Sequence, residues 1–590
     1  MNTRFFAVFI CLFTCLRSAA QIIPAPGDKL NYTQVMFEYE KVKGADMYVV
    51  QIAENSAGPS FNPCLIEQKD SATATRIDNL VFGKKYQWRY AGIHQGKRGD
   101  WNGPFQFETM DDPLRVKGLV DVVITQNDSS ASAGGLIIDD CSHSIMDRHG
   151  KVIWWLPKVK WRPVREKGKL DIKPRVLDLK LTPAGTITYL ADTTALECDL
   201  RGTELWRAPD DGKVSGFKSE FYNHYFERLP NGHYMVLSRE WWRKIPAYHD
   251  TAVIWKKYPW RAILDSAEYG RVNFPTVIEY DKRGQVVWSW KSEDYLDSDA
   301  LSPIAGDTKA EWESYPHGNA LSVDKNNEYV YMGLRNMNRI IKIEKKTGKV
   351  VDSWGAKWPG TGALHELNLK QQHDTHLLDD GSIAVYNSNN YPGSDSSSRA
   401  LIFSQKPGDD GRILWSFDCD FDSLDRHALR KGGNVDRLKN GNYLICTGMT
   451  GRILEVTKDK KIVWECRITV NNKSGPTFFQ WLYRAHSISS LYPCYFTLQP
   501  LLDTINAGSR TFNIRIFNRG SESDTYNVQV NSPSGWALPQ FSTDVICSNG
   551  SVTMTVNRGK SGLAGDKILV IVTSKTNPDF ERKSWVVVGK

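Results

Sequence analysis

Six short stretches of this 590-residue chain share one design: a Gly or Lys turn, then a short apolar strand running to Trp. They read GKVIWW (150–155), GTELW (202–206), GQVVWSW (284–290), GKVVDSW (348–354), GRILW (411–415) and KKIVW (460–464). A second element precedes most copies, a strand, a tight turn and another strand. It reads LTPAGTITYLA from Leu181, LPNGHYMVL from Leu229, VDKNNEYVYMG from Val323, LDDGSIAVY from Leu378 and LKNGNYLIC from Leu438. Asn-Gly and Asp-Gly at the tip supply the positive φ that a two-residue hairpin turn needs. Hairpin plus Trp-ended hairpin makes a four-stranded antiparallel unit. Recurring at roughly fifty to eighty residues, six such units predict a six-bladed β-propeller with insertions. A β-sandwich with long loops is the alternative, disfavoured by six Trp-ended strands and few helix-period stretches. The tryptophans read as core between neighbouring blades.

The rest of the chain is divided by that repeat. Residues 21–113 alternate apolar and polar at period two, with Tyr86, Trp88 and Tyr90 on one face, and predict a fibronectin type III-like sandwich. Residues 114–486 hold the propeller. Residues 487–590, with short alternating strands and Gly/Ser turns, predict an immunoglobulin-like sandwich. The fold class expected is all-β throughout. Residues 1–20 carry Arg4, an apolar run from Phe5 to Cys15 and Ser18-Ala19-Ala20 before Gln21, the pattern of a signal peptide. A lipid anchor at Cys15 is the other reading of that stretch. The expected protein is therefore exported, periplasmic or secreted, with no membrane span, since no later segment has transmembrane length. A net charge of +8 is small for this length and no Lys/Arg block stands out, so nucleic acid is not an expected partner. Eight cysteines follow the leader with no C-x-x-C spacing; Cys494 with Cys547 is the first pair to test as a disulfide.

Chemistry enters at the start of the hairpins. His224 lies five residues before Leu229, His373 five before Leu378, and His317 six before Val323. A propeller's first strands line its central channel, so three consecutive blades aim a histidine at one spot. A single histidine at a strand end is ordinarily a satisfied structural group; three at matching positions point to a pocket wall. His376 is odd-spaced from His373, so it should face the other side of the strand, and it reads as a support behind the pocket or as structural. Arg335 and Arg399 follow the His317 and His373 hairpins, and guanidinium forks beside imidazoles suit a tetrahedral oxyanion. Three histidines could also hold a metal, but the arginines would repel it, so no metal and no cofactor are expected. No paired carboxylates suggest glycosidase chemistry.

The stretches YPHGNALSVDKNNEYVYMGLRNMNRIIKIEKKTGKVVDSWG, QQHDTHLLDDGSIAVYNSNN and GNVDRLKNGNYLICTGMTGRILEVTKDKKIVWE resemble the arylsulfotransferase family, over roughly residues 115 to 487. The resemblance implies a six-bladed propeller that moves a sulfuryl group from an aryl sulfate ester to a phenol without a nucleotide sulfate donor. It implies that His317, in the family's His-x-Asn motif, and His373, in its Gln-His motif, hold that group with Arg335 and Arg399. Asn319, Asn336 and His224 are the implied substrate-binding residues. It further implies ping-pong transfer through a sulfohistidine on the last blade. There this chain departs from the pattern: the position matching His373 is Gly433, with Lys431 and His427 nearby, and the nucleophile stays unassigned between His427, from the loop before that strand, and His224, from the opposite wall. Partners implied are a small-molecule aryl sulfate donor and a phenolic acceptor.

Two alternatives follow from that departure: a non-catalytic propeller that binds a sulfated or phenolic ligand, and a hydrolase or lyase acting on glycans. The insertion WWRKIPAYHDTAVIWKKYPWRAILDSAEYG (241–270) reads either as a packed excursion on the rim or as a lid with aromatic walls and cations.

Overall fold

A computed structural model describes residues 22–157, 162–166, 169–173, 176–191, 194–216, 220–244, 271–292, 317–355, 364–388, 397–419, 431–472, 475–476, 482–500, 504–506, 509, 511–531, 538–557 and 565–589. The expected signal peptide, most of the 241–270 insertion and His427 lie outside the described residues. The chain is all-β.

Between residues 120 and 488 the strands form successive antiparallel sheets. The first holds Leu136–Asp139, Ser144–Asp147 and Val152–Trp155; the second Val176–Leu181, Ile187–Ala191, Thr194–Cys198 and Glu204–Arg207. The third holds Tyr222–Arg228, Tyr234–Lys244, Arg271–Tyr280 and Val286–Lys291. The fourth holds Gly318–Val323, Tyr329–Leu334, Arg339–Glu344 and Val350–Gly355, extended by a short parallel strand, Leu364–Glu366. The fifth holds His373–Leu377, Ile383–Asn387, Arg399–Phe403 and Ile413–Asp418; the sixth Asn434–Arg437, Tyr443–Cys446, Arg452–Val456 and Ile462–Asn472. In order along the chain, the first strand of each sheet lies beside the first strand of the next. Two exchanges close the series. Ala485–Ile488, from beyond the sixth sheet, pairs with Leu136–Asp139 of the first, and Val120–Asn127, from before the first, pairs with Ile462–Asn472 of the sixth.

The repeated tryptophans explain why these sheets stack. Trp154, Trp206, Trp290, Trp354, Trp415 and Trp464 are all buried, Trp415 the most exposed of them at 9%. Four also latch one sheet to the next through the indole N–H. Trp154 donates to the Leu200 carbonyl at 2.7 Å, Trp290 to Gly348 at 2.9 Å, Trp415 to Lys458 at 3.0 Å and Trp464 to Arg148 at 2.8 Å. Each acceptor sits in an outer turn of the following sheet, where Gly or a tight turn turns a carbonyl outward. The Trp464 bond runs from the sixth sheet to the first, so the same latch closes the ring. A buried indole thus contributes both apolar area and a satisfied donor. Trp206 stacks on Tyr234 of the third sheet at 3.8 Å instead.

Outside that series are two further β units. In the N-terminal one, Tyr86, Trp88 and Tyr90 are all buried, as their period-two spacing predicts, and Trp88 meets Phe37 edge-on at 5.1 Å. The C-terminal one has two sheets, built on Thr511–Asn518 and Lys567–Ser574, around a Val/Ile/Phe core. These two units touch: Arg582 donates to Glu38 at 2.6 Å and Arg519 to the Ala74 carbonyl at 2.9 Å. Asp579 reaches back to the ring, accepting from Arg228 at 2.9 Å and Lys282 at 2.7 Å. Cys494 and Cys547 do not pair. Cys494 lies 3.2 Å from the Ser574 hydroxyl, burial pushes its thiol up to about 12, and Cys547 is exposed.

Candidate functional site

The innermost strands break register where the ring's centre needs side chains re-aimed. In the second, third and fifth sheets the break falls at Asp178 (φ 56), His224 (φ 64) and Asp374 (φ 56). In the fourth, His317 (φ 58) stands just before the strand and the break follows it. A non-glycine residue in the left-handed region costs on the order of 1 kcal/mol or more and turns its side chain out of the pleat. Neighbouring backbone holds these bulges in place. Asp178 accepts from the Phe226 N–H at 2.8 Å and Asp374 from the Val435 N–H at 3.4 Å. Asp140, at the end of the first sheet's inner strand, accepts from the Asp178 N–H at 3.0 Å and the Tyr483 N–H at 2.8 Å.

The three histidines converge. The His224 and His317 rings are 5.1 Å apart, and Tyr483 lies between them and His373, 5.6 Å from His224 and 6.3 Å from His373. The Tyr483 hydroxyl donates to the Asn319 carbonyl at 3.0 Å and lies 3.0 Å from His224 Nδ1. A phenol has one proton, and burial holds the Tyr483 pKa raised. That proton goes to the carbonyl, so His224 Nδ1 must be the donor in the second bond, which fixes its tautomer. His373 is 3% exposed, with Nδ1 2.7 Å from the Ser388 hydroxyl. Burial first, then the Arg335 guanidinium, His224 and Arg484, hold its pKa well below the ordinary imidazole value. His373 is therefore a neutral imidazole set among cations.

Arg335 sits in a one-turn 3-10 helix, Arg335–Met337, ended by Asn338 at φ 52. Its backbone N–H donates to the His317 carbonyl at 2.9 Å, and its guanidinium to Asn336 at 2.8 Å and Gln371 at 2.6 Å. Asn319 is fully buried and donates to the Gln372 carbonyl at 2.8 Å, so its amide ties the strand of His373 to that of His317. Arg399 is half-exposed and ion-pairs with Asp418 at 2.6 Å, at the same end of the fifth sheet as His373 but two strands further out. His376 is exposed.

Gly433 explains the missing histidine of the sixth sheet. Its φ is 104, and a Cβ there would lie 2.5 Å from the Tyr386 ring. No side chain fits. The space at the ring's centre is filled instead by Tyr483 and Arg484, which come in just ahead of the closing strand Ala485–Ile488. Arg484 is 3% exposed at its side chain, ion-pairs with Asp374, lies 3.3 Å from Asp178 and donates to the Asn319 carbonyl at 3.3 Å. Burial disfavours its charge, but Asp374, Tyr483 and Asp178 outweigh that and hold its pKa raised. Burial likewise pushes Asp178 up, and Lys180 and Arg484 outweigh it. Sequence reasoning missed both Tyr483 and Arg484. The signal available was YRAHSI, an alternating segment beyond the last Trp-ended strand that a closed ring needs as its final inner strand.

Two or three residues further along the inner strands, a second set of ionisable groups lies within one another's field: Lys180, Glu227, Asp436 and His486, joined by the more exposed His376, with His486 Nδ1 2.8 Å from Asp436. The histidine level therefore rests on a polar layer rather than an apolar plug. Together the groups could bind a tetrahedral anion through Arg335 and present a neutral imidazole to its central atom.

Residues 275–469 match the family model described as arylsulfotransferase (ASST). No curated protein matches the chain. Among solved structures, a protein of unknown function from Bacteroides caccae is 15% identical, with 61% of this chain and 100% of that one covered and a TM-score of 0.35. A streptogramin B lyase is 10% identical, with 60% and 98% covered and a TM-score of 0.30. A β-propeller domain from Myceliophteria thermophila is 10% identical, with 50% and 86% covered and a TM-score of 0.27. No helix among the described residues is long and apolar enough to cross a membrane.

Proposed function

We propose that this chain, whose residues 275–469 match the arylsulfotransferase model, moves a sulfuryl group from an aryl sulfate ester to a phenolic acceptor, with His373 as nucleophile. The observation that carries this is the buried His373 ring gathered with His224 and His317 about Tyr483, where burial and then the charges of Arg335, His224 and Arg484 lower its pKa. A nucleophile must keep its lone pair at working pH, and the sulfuryl oxygens need cations that do not quench it. In the first half-reaction an imidazole nitrogen of His373 attacks sulfur. The N–S bond forms, the S–O bond to the aryl group breaks, and a phenolate leaves. Arg335 and His317 bind the sulfuryl oxygens. In the second half-reaction the acceptor phenol loses its proton to a neighbouring histidine, for which His224 is suited. Its Nδ1 proton is committed to Tyr483, which leaves Nε2 as the basic nitrogen. The acceptor oxygen then bonds to sulfur and the N–S bond breaks, restoring His373. No nucleotide or metal enters these steps.

This reading moves the sulfohistidine from the sixth sheet, where His427 was the candidate, to the fifth. It supposes a six-bladed propeller flanked by a fibronectin III-like sandwich and an immunoglobulin-like one. The cyclic order of the inner strands and the two exchanged strands support that architecture. Export follows from the leader sequence in the same reading.

The test is incubation with 4-nitrophenyl sulfate and phenol, following nitrophenolate release, with His373→Ala and His317→Ala alongside. Mass spectrometry of protein quenched after donor alone should find one added sulfuryl group, on the peptide that holds His373. Release from the wild type with no adduct on that peptide would sink the nucleophile assignment. No release across several phenols from folded protein would leave a binding propeller.

A further inference from the structure

The junction between the fourth and fifth sheets departs from the others. Here the short strand Leu364–Glu366 is laid parallel to Val350–Gly355, with His365 opposite Trp354. The His365 ring stacks on the Trp354 indole at 5.9 Å, with an interplanar angle of 25°. His365 Nε2 lies 3.0 Å from Asp352 Oδ1 and 3.9 Å from Asp410 Oδ1. Asp352 belongs to the fourth sheet's outer strand. Asp410 belongs to the outer turn of the fifth, closed by the Gly411 N–H on the Ser404 carbonyl at 2.8 Å. We propose that Asp352, His365 and Asp410 hold one divalent first-row transition ion, such as Zn²⁺ or Mn²⁺, that clips the fourth sheet to the fifth.

Four observations support it. First, the three donor atoms come from three separate chain segments and all lie within 4.8 Å of one another. Ligand atoms about 2.1 Å from a tetrahedral ion lie roughly 3.4 Å apart, between the two distances seen here. Second, an imidazole can hydrogen-bond Asp352 through Nε2, but that bond leaves Asp410 unexplained. Among the described residues Asp410 makes no other ion pair or side-chain hydrogen bond. Third, Lys342 stands opposite Asp352 on the neighbouring strand, yet its ammonium lies over the Tyr329 ring at 4.4 Å. Two carboxylates therefore face one imidazole. Fourth, Trp354 is fully buried and its indole N–H has no acceptor among the described residues, unlike the four latched tryptophans. Its pyrrole edge faces this junction: Cδ1 lies 4.0 Å from where a Cβ on Gly411, next to Asp410, would stand. A water carried by the ion would supply the acceptor this N–H lacks.

The donor set decides the class of ion. One imidazole nitrogen with two carboxylate oxygens suits borderline ions; calcium takes more oxygens and magnesium keeps its water. Side-chain exposures of 22%, 24% and 14% for Asp352, His365 and Asp410 leave a path from solvent. The function of such an ion is structural, since it bridges outer strands and lies apart from the histidines at the ring's centre.

The test uses the full chain, stripped with a chelator and then incubated with Zn²⁺, Mn²⁺ or Ca²⁺ in turn. Elemental analysis after gel filtration should find one equivalent of zinc or manganese. His365→Gln and Asp410→Asn should each lose at least tenfold in affinity, and added metal should raise the melting temperature of the wild type but of neither variant. No retained equivalent in the wild type, retention of calcium alone, or wild-type affinity in both variants would each overturn the proposal. The wild-type stoichiometry decides even if a variant folds poorly. None of these readouts depends on sulfuryl transfer.

Discussion

The outer edges of the sheets and their inner ends are made from the same repeat and obey opposite rules. At the outer edges the pattern is kept: a turn, a strand and a buried Trp whose N–H reaches the next sheet, as in Trp154, Trp290, Trp415 and Trp464. At the inner ends it is broken, by left-handed residues at Asp178, His224, His317 and Asp374. Repetition suits stability, because each of the six strands brings a buried Trp to a seam and four of those indoles also donate across it. Chemistry needs unlike groups at one point, so each inner strand departs from its neighbours by one residue. Backbone strain collects where the ring's side chains must differ.

The contrast can be broken by substitution. His373→Ala should lower sulfuryl transfer on the order of a thousandfold while shifting the melting temperature little, because it removes the proposed nucleophile but no interior apolar area. Enzyme assay and thermal unfolding on one preparation check both halves. Trp464→Ala should do the reverse. A buried indole replaced by a methyl costs about 3–5 kcal/mol, and its latch and the Arg148 guanidinium 4.8 Å above its ring go with it. Denaturant unfolding should record that loss, while turnover per folded molecule stays within a few-fold of wild type.

Smaller effects sharpen the picture at the centre. Tyr483→Phe removes the hydroxyl that fixes the His224 tautomer, and should cost roughly tenfold in kcat, the worth of about one hydrogen bond. If His224 serves only as packing, kcat should not move. The smallest effect is on the pH profile. His373 has a lowered pKa, so its favourable contribution to stability is full above the ordinary imidazole value and is lost as pH falls below it. Transfer should accordingly persist as pH drops below 6.5, the unperturbed value. In Arg335→Gln, with one cation gone, the acid limb should move to higher pH. An acid limb unchanged by that substitution would separate Arg335 from His373.

Much of this architecture was legible in the order of residues. Asn-Gly and Asp-Gly turns, period-two alternation and the six tryptophans lead to the strands actually formed, because each depends on local geometry. The meeting of His224, His317 and His373 was legible too, since equivalent hairpins put their first residues at one end of the ring. Tyr483 and Arg484 were not, because they belong to no hairpin: they enter by the closing strand, whose partner lies at the other end of the ring. Arg399 matches the motif by strand position, and its pairing with Asp418 on the adjoining strand could not be read from sequence. The register breaks were hidden as well, since a left-handed His or Asp reads in sequence like any other.

The exchange of strands at the ring's closure has a consequence for the order of assembly. Ala485–Ile488 can pair with Leu136–Asp139 only after all six sheets have been synthesised. The residues just before that strand, Tyr483 and Arg484, are the ones that orient His224 and neutralise Asp374. The reactive centre is thus finished by the last piece to arrive. A nascent chain or a truncated fragment ending before Tyr483 would carry His224, His317 and His373 and still lack the completed pocket, so that the proposed reactivity appears only once the ring has closed.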